Sequence, residues 1–174
     1  MAGRFDRVAF RSDRLPIDHF DARFSEENVS FWVPRLVRAA QITPGLDVLD
    51  VGCGTGGFAR AIACSVPARV TGCDRSERFI EFAKRLPRPP PGTLGWVVGD
   101  AERLPFNASA FDRVLLSLAL HQLTDPGAAV AEAFRVLRGG GLVLARTIAP
   151  AQDGGGGRRA DAPARRRARR RRSG

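Results

Sequence analysis

The sequence lacks the features that mark several classes of protein. Its 174 residues include no Tyr, one Lys and three Cys. Three cysteines are too few for a disulfide scaffold, and the absence of any CxxC pair or Cys/His cluster argues against a bound metal. No run of about 18 uncharged apolar residues occurs, so we expect no membrane span. The amino terminus, MAGRFDRVAFRSDR, is too charged for a secretory signal, and a cytoplasmic protein is expected.

The positive charge is concentrated at one end of the chain. Residues 151–174 hold nine Arg and two Asp, which is +7 of the total net charge of +10. The nearly neutral remainder argues against a nucleic-acid surface on the folded domain. Residues 151–174 also contain no large apolar side chain and cannot offset chain entropy by burial. We therefore expect a disordered Gly/Arg-rich tail there and a single domain over residues 1–150.

Within that domain, helix-like and strand-like patterns alternate. Residues 1–40 are expected to form an amino-terminal cap with helices, and residues 41–150 the core. The patterns predict helices at 27–40, 56–65, 76–86 and 125–138, the last one closed by Gly139–Gly141. They predict strands at 46–51, 68–74, 94–100, 111–120 and 142–148. Repeated strand–helix units indicate an α/β fold of the Rossmann-like type, an open parallel sheet with helices on both faces.

A glycine-rich turn follows the first predicted strand. The segment is Asp50-Val-Gly-Cys-Gly-Thr-Gly-Gly57, in which Gly52, Gly54 and Gly57 satisfy GxGxxG. Glycines at this place allow a tight turn and let a ligand approach the backbone, and the helix that follows presents unpaired N–H groups. From the residues alone, a dinucleotide site and a purely structural turn both remain open.

Acidic residues end the next two predicted strands. Asp74 lies 17 positions after Gly57, where a carboxylate can accept hydrogen bonds from both hydroxyls of a ribose, although it can also cap the helix that begins near Ser76. Asp100 begins the segment GDAERLPF and can accept a hydrogen bond from an adenine amine. Taken alone, a Gly-Asp pair is an ordinary turn.

Together these segments resemble the class I S-adenosylmethionine-dependent methyltransferases, and in particular the ubiquinone/menaquinone-biosynthesis type. The resemblance rests on LDVLDVGCGTGGFARAIA, the Asp74 strand end, GDAERLPFNASAFDRVLLSLALHQL and FRVLRGGGLVLA, and it covers about residues 17–148. The acid two residues before the first glycine and the GDAE-LPF segment fit this family better than the dinucleotide-binding one. The resemblance implies methyl transfer from S-adenosylmethionine to a small-molecule acceptor.

The resemblance also implies residue roles. Gly52, Cys53 and Gly54 would approach the methionine part of the cofactor, with Asp50 organising its amino group. Asp74 would bind the ribose and Arg75 would lie along the adenine, while Asp100 would meet the adenine amine and Ala101 the ring. Leu118 would lie near the sulfonium, and His121 is the candidate imidazole for a general base. An amino-terminal segment with Phe20 and Phe24 resembles the part that caps the pocket in relatives.

The sequence departs from the family after residue 148. The family sheet has seven strands, and the last two have no counterpart here. A shifted reading frame or a truncation would explain the change into Arg/Gly sequence, and a basic arm that docks on nucleic acid is the other explanation. The alternatives to a methyltransferase are therefore a non-catalytic fragment that binds the cofactor or a partner, and a nucleic-acid-associated methyltransferase that uses the tail.

Overall fold

Helices and strands alternate along the chain in the computed structural model, which describes residues 26–86, 91–117 and 123–146. The helices are α1 (Glu26–Ala39), α2 (Gly57–Ser65), α3 (Glu77–Arg85) and α4 (Pro126–Val136). The strands are β1 (Asp47–Val51), β2 (Arg69–Asp74), β3 (Thr93–Val98), β4 (Phe111–Ser117) and β5 (Leu137–Arg146). The predicted alternation is confirmed. The expected amino-terminal cap before residue 26 and the expected tail lie outside the described residues.

The five strands form one sheet in the order β3-β2-β1-β4-β5, and every neighbouring pair is parallel. This confirms the predicted open parallel sheet, with five strands in the part described. The order reverses between β1 and β4, because the chain builds outward in one direction through β3 and then returns to the other side of β1. In such sheets ligands bind outside the carboxyl ends of the strands at the reversal.

Each face of the sheet carries its own apolar cluster. On one face, Val48, Val70 and Leu94 from β1, β2 and β3 pack with α1 and α2. On the other face, Leu49, Val51 and Leu116 pack with buried residues of α4. Because side chains alternate along a strand, successive residues of β1 belong to opposite clusters. Helices therefore cover both faces, as predicted. None of the helices in the described part of the chain is long and apolar enough to span a bilayer.

Helix α1 is attached to the sheet by its carboxyl end. Val33 and Leu36 are buried on the α1 side of the core. The Arg113 guanidinium in β4 donates to the carbonyl of Ala40 at 2.6 Å and to that of Gln41 at 3.3 Å. Gln41 has φ of +49°, the left-handed conformation that commonly ends a helix. A cation on the last carbonyls complements the helix dipole, so β4 stabilises the end of α1.

Charged residues join the amino ends of four strands. The Arg138 guanidinium in β5 lies 2.7 Å from Asp47 of β1 and 2.9 Å from Asp112 of β4. Asp47 also accepts a hydrogen bond from Arg69 of β2 at 2.9 Å. The hydrogen bond from Arg69 and that from Arg138 lower the pKa of Asp47 to about 2, although burial opposes them. Because both guanidinium groups are exposed, solvent screens these ion pairs and they contribute little to stability.

The predicted boundary between the last helix and the last strand is wrong. Residues 125–138 were expected to be helical and to end at glycines, whereas α4 ends at Val136 and β5 begins at Leu137. Leu137 pairs with Phe111 and Leu142 pairs with Arg113, so β5 has extra residues at a bulge. Gly140 has φ of +79°, which suits such an irregularity. Gly139–Gly141 therefore form part of β5 and do not cap a helix.

Candidate cofactor-binding site

The chain leaves β1 through a loop whose backbone requires glycine. Gly52, Gly54 and Gly56 have φ of +70°, +56° and +82°, in the left-handed region that side chains disfavour. The N–H groups of Gly52 and Cys53 both donate to the carbonyl of Cys73 in β2, at 2.8 and 3.1 Å. The Gly56 N–H closes a turn on the carbonyl of Cys53 at 2.9 Å. The loop is therefore anchored to the next strand at its start and folded back at its end.

Asp74 joins this loop to the end of β2. One carboxylate oxygen, Oδ2, accepts the Gly54 N–H at 2.8 Å, and the other, Oδ1, accepts the Ser76 N–H at 2.9 Å. Each carboxylate oxygen can accept a second hydrogen bond. None of the described residues lies within 4 Å of the position that a Cβ on Gly54 would take, so the described structure leaves open space beside this pair. Burial raises the pKa of Asp74, and the two backbone donors oppose that shift.

The residue that caps the helix after β2 is Ser76, and not Asp74. The Ser76 hydroxyl accepts the Phe79 N–H at 3.3 Å, so Ser76 is the N-cap of α3, as the sequence predicts. Asp74 instead orients the backbone of Ser76. Its carboxylate consequently lies at the carboxyl end of the sheet with both oxygens held in position.

Asp50 lies beneath the glycine loop, in the core of the protein. Its side chain is 1% exposed, and its Oδ1 has no hydrogen-bond partner among the described residues. The Ala59 N–H, in the first turn of α2, donates to the carboxyl group, whereas Gly56 gives α2 no side-chain cap. Burial, with a contribution from the charge of Asp74, raises the pKa of Asp50 to about 7. Thr55, fully buried in the same loop, also has an unpartnered hydroxyl oxygen within the described structure.

The two cysteines near the site are buried and protonated. Cys53 is 5% exposed and Cys73 is 1% exposed. Burial raises the pKa of Cys53 well above its usual range and raises the pKa of Cys73 to about 12. Because the thiolate is the reactive form, these thiols behave as small apolar side chains at neutral pH. In the described residues, no group of three or more His, Cys, Asp and Glu side chains could hold a metal ion.

The end of β3 brings a third acidic residue to the same edge of the sheet. The Gly99 N–H donates to the carbonyl of Asp74 at 3.0 Å. Asp100 follows with an exposed side chain, whose Oδ1 accepts the Glu102 N–H at 2.9 Å. Ala101 is 8% exposed and packs with the second apolar cluster. An exposed carboxylate is thus placed beside a small apolar side chain.

Helix α4 holds the segment that follows β3. The Leu104 N–H donates to Glu132 Oε2 at 2.7 Å, and Arg135 donates to the carbonyls of Leu104 and Phe106 at 3.1 and 2.9 Å. The Glu102 carboxylate also accepts the N–H groups of Thr124 and Asp125, at 2.8 and 2.9 Å. This segment is therefore held by α4 and by the end of the loop that precedes α4.

The predicted binding residues that the structure describes lie at the carboxyl ends of three adjacent strands or directly after them. They are Asp50, Gly52, Cys53 and Gly54 at β1, Asp74 and Arg75 at β2, and Asp100 and Ala101 at β3. Their roles in binding stay predictions. Leu118 and His121 lie outside the described residues, so neither their positions nor the proposed base can be assigned.

The sequence analysis did not identify four residues that contact the loops of the site. Trp96 packs against Gly56 of the glycine loop, and Glu102, Glu132 and Arg135 hold the segment after β3. Trp96 had a detectable signal, because Gly72 interrupts the apolar pattern of β2 and a glycine inside a strand often marks close packing by a neighbour. The contacts of Glu102, Glu132 and Arg135 join residues 22 to 31 positions apart. Their spacing carries no local signal.

Comparison with known proteins identifies the family. The methyltransferase domain family matches residues 49–145 of the chain. The chain belongs to this family. The glycine loop, Asp74 and Asp100 lie within the matched residues. Membership implies S-adenosylmethionine as the cofactor.

Three relatives show the range of the similarity. Demethylmenaquinone methyltransferase of Staphylococcus aureus is 32% identical over 142 residues, which are 80% of this chain and 56% of that protein. Ubiquinone/menaquinone biosynthesis C-methyltransferase of Bordetella parapertussis is 34% identical over 131 residues, 70% of this chain and 51% of that one. A SAM-dependent methyltransferase structure from Methanosarcina mazei aligns with a TM-score of 0.57 at 26% identity, covering 63% of this chain and 55% of that one. The chain spans about half the length of these relatives.

The residues at the strand ends fit the cofactor that the family implies. A ribose needs acceptors for two vicinal hydroxyls, and Asp74 offers two oxygens that each have one further lone pair. The methionine part needs close access to the backbone, and the described residues leave open space beside Gly54. Adenine needs an acceptor for its amine beside an apolar surface, which Asp100 and Ala101 supply.

Proposed function

We propose that this chain binds S-adenosylmethionine at the carboxyl ends of β1, β2 and β3 and transfers its methyl group to a small-molecule acceptor. The observation that carries the proposal is the Asp74 carboxylate, held by the Gly54 and Ser76 N–H groups beside the open side of the glycine loop. Family membership supports the reaction class. Because the chain spans about half of its curated relatives, activity and acceptor are both proposed.

In this proposal Asp74 accepts the two ribose hydroxyls. The backbone of Gly52, Cys53 and Gly54 borders the methionine part, and Asp50 supports the loop from below. Arg75 lies along the adenine edge, Asp100 accepts from the adenine amine and Ala101 packs against the ring. The same proposal places Leu118 beside the sulfonium and assigns His121 as a general base. The resemblance of the sequence to the methyltransferase family supports these two roles.

The residues of this chain bind and orient the reactants and do not need to activate the methyl group. The bound sulfonium supplies a methyl group that is already activated for transfer to a nucleophile. The protein must hold the cofactor in one orientation, align the acceptor with it and exclude water. One hydrogen bond from Gly54 to Asp74 and two backbone hydrogen bonds to Cys73 restrict the loop that carries out the first task.

For the acceptor, we propose a quinone-type small molecule. The relatives from S. aureus and B. parapertussis are named for demethylmenaquinone and for ubiquinone/menaquinone biosynthesis, at 32% and 34% identity. Release of S-adenosylhomocysteine in the presence of a demethylmenaquinone analogue tests this. Cofactor binding without release on quinol acceptors would favour the non-catalytic alternative.

We also propose that residues 1–150 form one cofactor-binding domain and that the basic tail lies outside it. The family match ends at residue 145 and β5 reaches residue 146, which supports this boundary. Deletion of residues 151–174 should leave the affinity for S-adenosylhomocysteine unchanged. Salt-sensitive binding of RNA that this deletion abolishes would instead support the nucleic-acid alternative. A cytoplasmic location stays a prediction from the charged amino terminus.

The cofactor proposal is tested by calorimetric titration of the purified chain with S-adenosylhomocysteine. Asp74→Ala removes the acceptors for two hydroxyls, and hydrogen bonds to a charged group contribute about 1.5–3 kcal/mol each. We therefore expect affinity to fall by about 100-fold or more. Asp100→Ala, at an exposed position, should weaken binding by about tenfold without a risk to folding.

Asp112→Ala is the matched control, because it removes a carboxylate from the opposite end of the sheet. It should bind S-adenosylhomocysteine like the wild type. Equal losses in Asp112→Ala and Asp74→Ala would show that the effect is not local. Absence of binding by a folded wild-type chain would refute the cofactor assignment.

A further inference from the structure

The indole ring of Trp96 lies over Gly72, its neighbour on the adjacent strand. The two residues are register partners in β3 and β2, so their side-chain positions are on the same face of the sheet. A Cβ built on Gly72 would be 2.4 Å from Cζ3 and 2.6 Å from Cε3 of Trp96, closer than atoms can pack. The ring therefore occupies the volume that any side chain at position 72 would need.

The same ring extends beyond β2 to the glycine loop. A Cβ built on Gly56 would be 2.1 Å from Cη2 and 2.6 Å from Cζ3 of Trp96. Gly56 is the last loop residue before α2, and it has φ of +82°. The outer edge of the indole is thus packed against the end of the loop, while its inner part is packed against the sheet.

Arg60 adds a second connection between Trp96 and the loop. Its guanidinium carbon is 5.5 Å from the centroid of the Trp96 ring, within the range of a cation–π interaction. Its Nη2 donates to the carbonyl of Thr55 at 3.2 Å. The Arg60 N–H donates to the carbonyl of Gly56 at 2.9 Å. The Arg60 side chain therefore links the carbonyl of Thr55 to the Trp96 ring, and its N–H makes the first backbone hydrogen bond of α2 with Gly56.

We propose that Trp96 is a positioning residue for the cofactor, because its ring supports the glycine loop in the conformation that presents Gly54. The inference rests on the proposed function. Gly54 lies between two fixed points, the Asp74 carboxylate that accepts its N–H and the Gly56 backbone packed on the indole. Glycine-rich backbone has high conformational entropy, so a loop without this support would lose more freedom when the cofactor binds.

Trp96→Phe separates support of the loop from packing in the sheet. A Phe ring retains an aromatic surface over Gly72, but it is shorter than an indole and gives up the contact with Gly56. Trp32→Phe is the matched control, since Trp32 is the other tryptophan of the chain and packs on the same apolar cluster from α1. Both full-length variants are compared with the wild type in hydrogen exchange, thermal unfolding and titration with S-adenosylhomocysteine.

For Trp96→Phe we expect faster exchange of the Gly54 and Gly56 N–H groups and about tenfold weaker binding, a change of about 1.4 kcal/mol. Exchange in β1 and β2 should be unaltered. Trp32→Phe should match the wild type in loop exchange and in affinity. Its remaining tryptophan, Trp96, should change emission when S-adenosylhomocysteine is added, whereas Trp32 in the Trp96→Phe protein should not.

Two results would overturn the inference. One is wild-type affinity and loop exchange in Trp96→Phe. The other is an equal loss of affinity in Trp32→Phe, which would make the effect global. If the wild type binds no S-adenosylhomocysteine, the proposed function fails, and the exchange of the Gly54 and Gly56 N–H groups still decides whether Trp96 supports the loop.

Discussion

Replacing Asp50 by Asn removes a carboxyl group that is costly to ionise where it lies. Its side chain is 1% exposed, and Oδ1 has no partner in the described part of the chain. Burial, and then the charge of Asp74, raises the pKa of Asp50 from 3.8 to about 7. Between these two values the folded protein retains a proton that the unfolded chain releases.

The sign and size of the effect follow from this difference. The free energy of unfolding falls as pH rises from about 4 to about 7, by about 1.4 kcal/mol for each pH unit. The loss of stability that the raised pKa of Asp50 causes is about 4 kcal/mol at pH 8 and is absent below about pH 4. Asn has nearly the same volume and stays neutral, so Asp50→Asn should be free of the penalty. The Ala59 N–H can still donate to the amide oxygen.

Urea unfolding of wild type and Asp50→Asn at pH 5 and pH 8 provides the measurement. Comparing the two proteins cancels the titration of groups they share. We expect the stability difference to shift by about 3 kcal/mol in favour of Asp50→Asn between pH 5 and pH 8. Asp112→Asn is a control in which the change in stability should have the opposite sign. The hydrogen bond from the Asp47 N–H, with help from Arg138, lowers the pKa of Asp112, so this variant should be less stable than wild type at both pH values. Parallel pH profiles for wild type and Asp50→Asn would show that the pKa of Asp50 is not raised in the folded protein.

Two further predictions concern steric packing and thiol reactivity. Gly72→Ala should destabilise the protein by about 1–3 kcal/mol, because its Cβ would lie 2.4 Å from the Trp96 ring. In thermal unfolding, the double variant Gly72→Ala/Trp96→Ala should lose less stability than the sum of the losses in the two single variants. Additive losses would contradict the contact between the two residues. Cys64 is exposed, whereas Cys53 and Cys73 are buried with raised pKa values, so a thiol reagent should modify one cysteine rapidly in the folded protein. Rapid modification of two or three would contradict this burial.

Local patterns in the sequence predicted most of the fold. The alternation of apolar runs with helical patterns predicted the open parallel sheet, and the predicted elements match the observed ones to within two residues in the described part of the chain, except that β5 begins at Leu137 and not at residue 142. The Ser76 cap and the glycine turn after β1 are local features, so they could be identified from the sequence alone. The prediction at Gly139–Gly141 was wrong because a glycine run suits a helix end and a bulged strand equally well, and only pairing with Phe111 decides between them.

The order of the elements, the residue types at the strand ends and the family could all be inferred from the amino-acid sequence. Spacing along the chain indicates that Asp50, Asp74 and Asp100 lie at the ends of strands, and the carboxyl ends of parallel strands meet at one edge. The different contacts of the three carboxylates became visible only in the folded protein. Asp50 is buried beneath the loop, while Asp74 binds the loop backbone and Asp100 is exposed. The support of the loop by Trp96 was also decided in three dimensions, because burial and van der Waals contact depend on residues that are distant in the chain and adjacent only after folding.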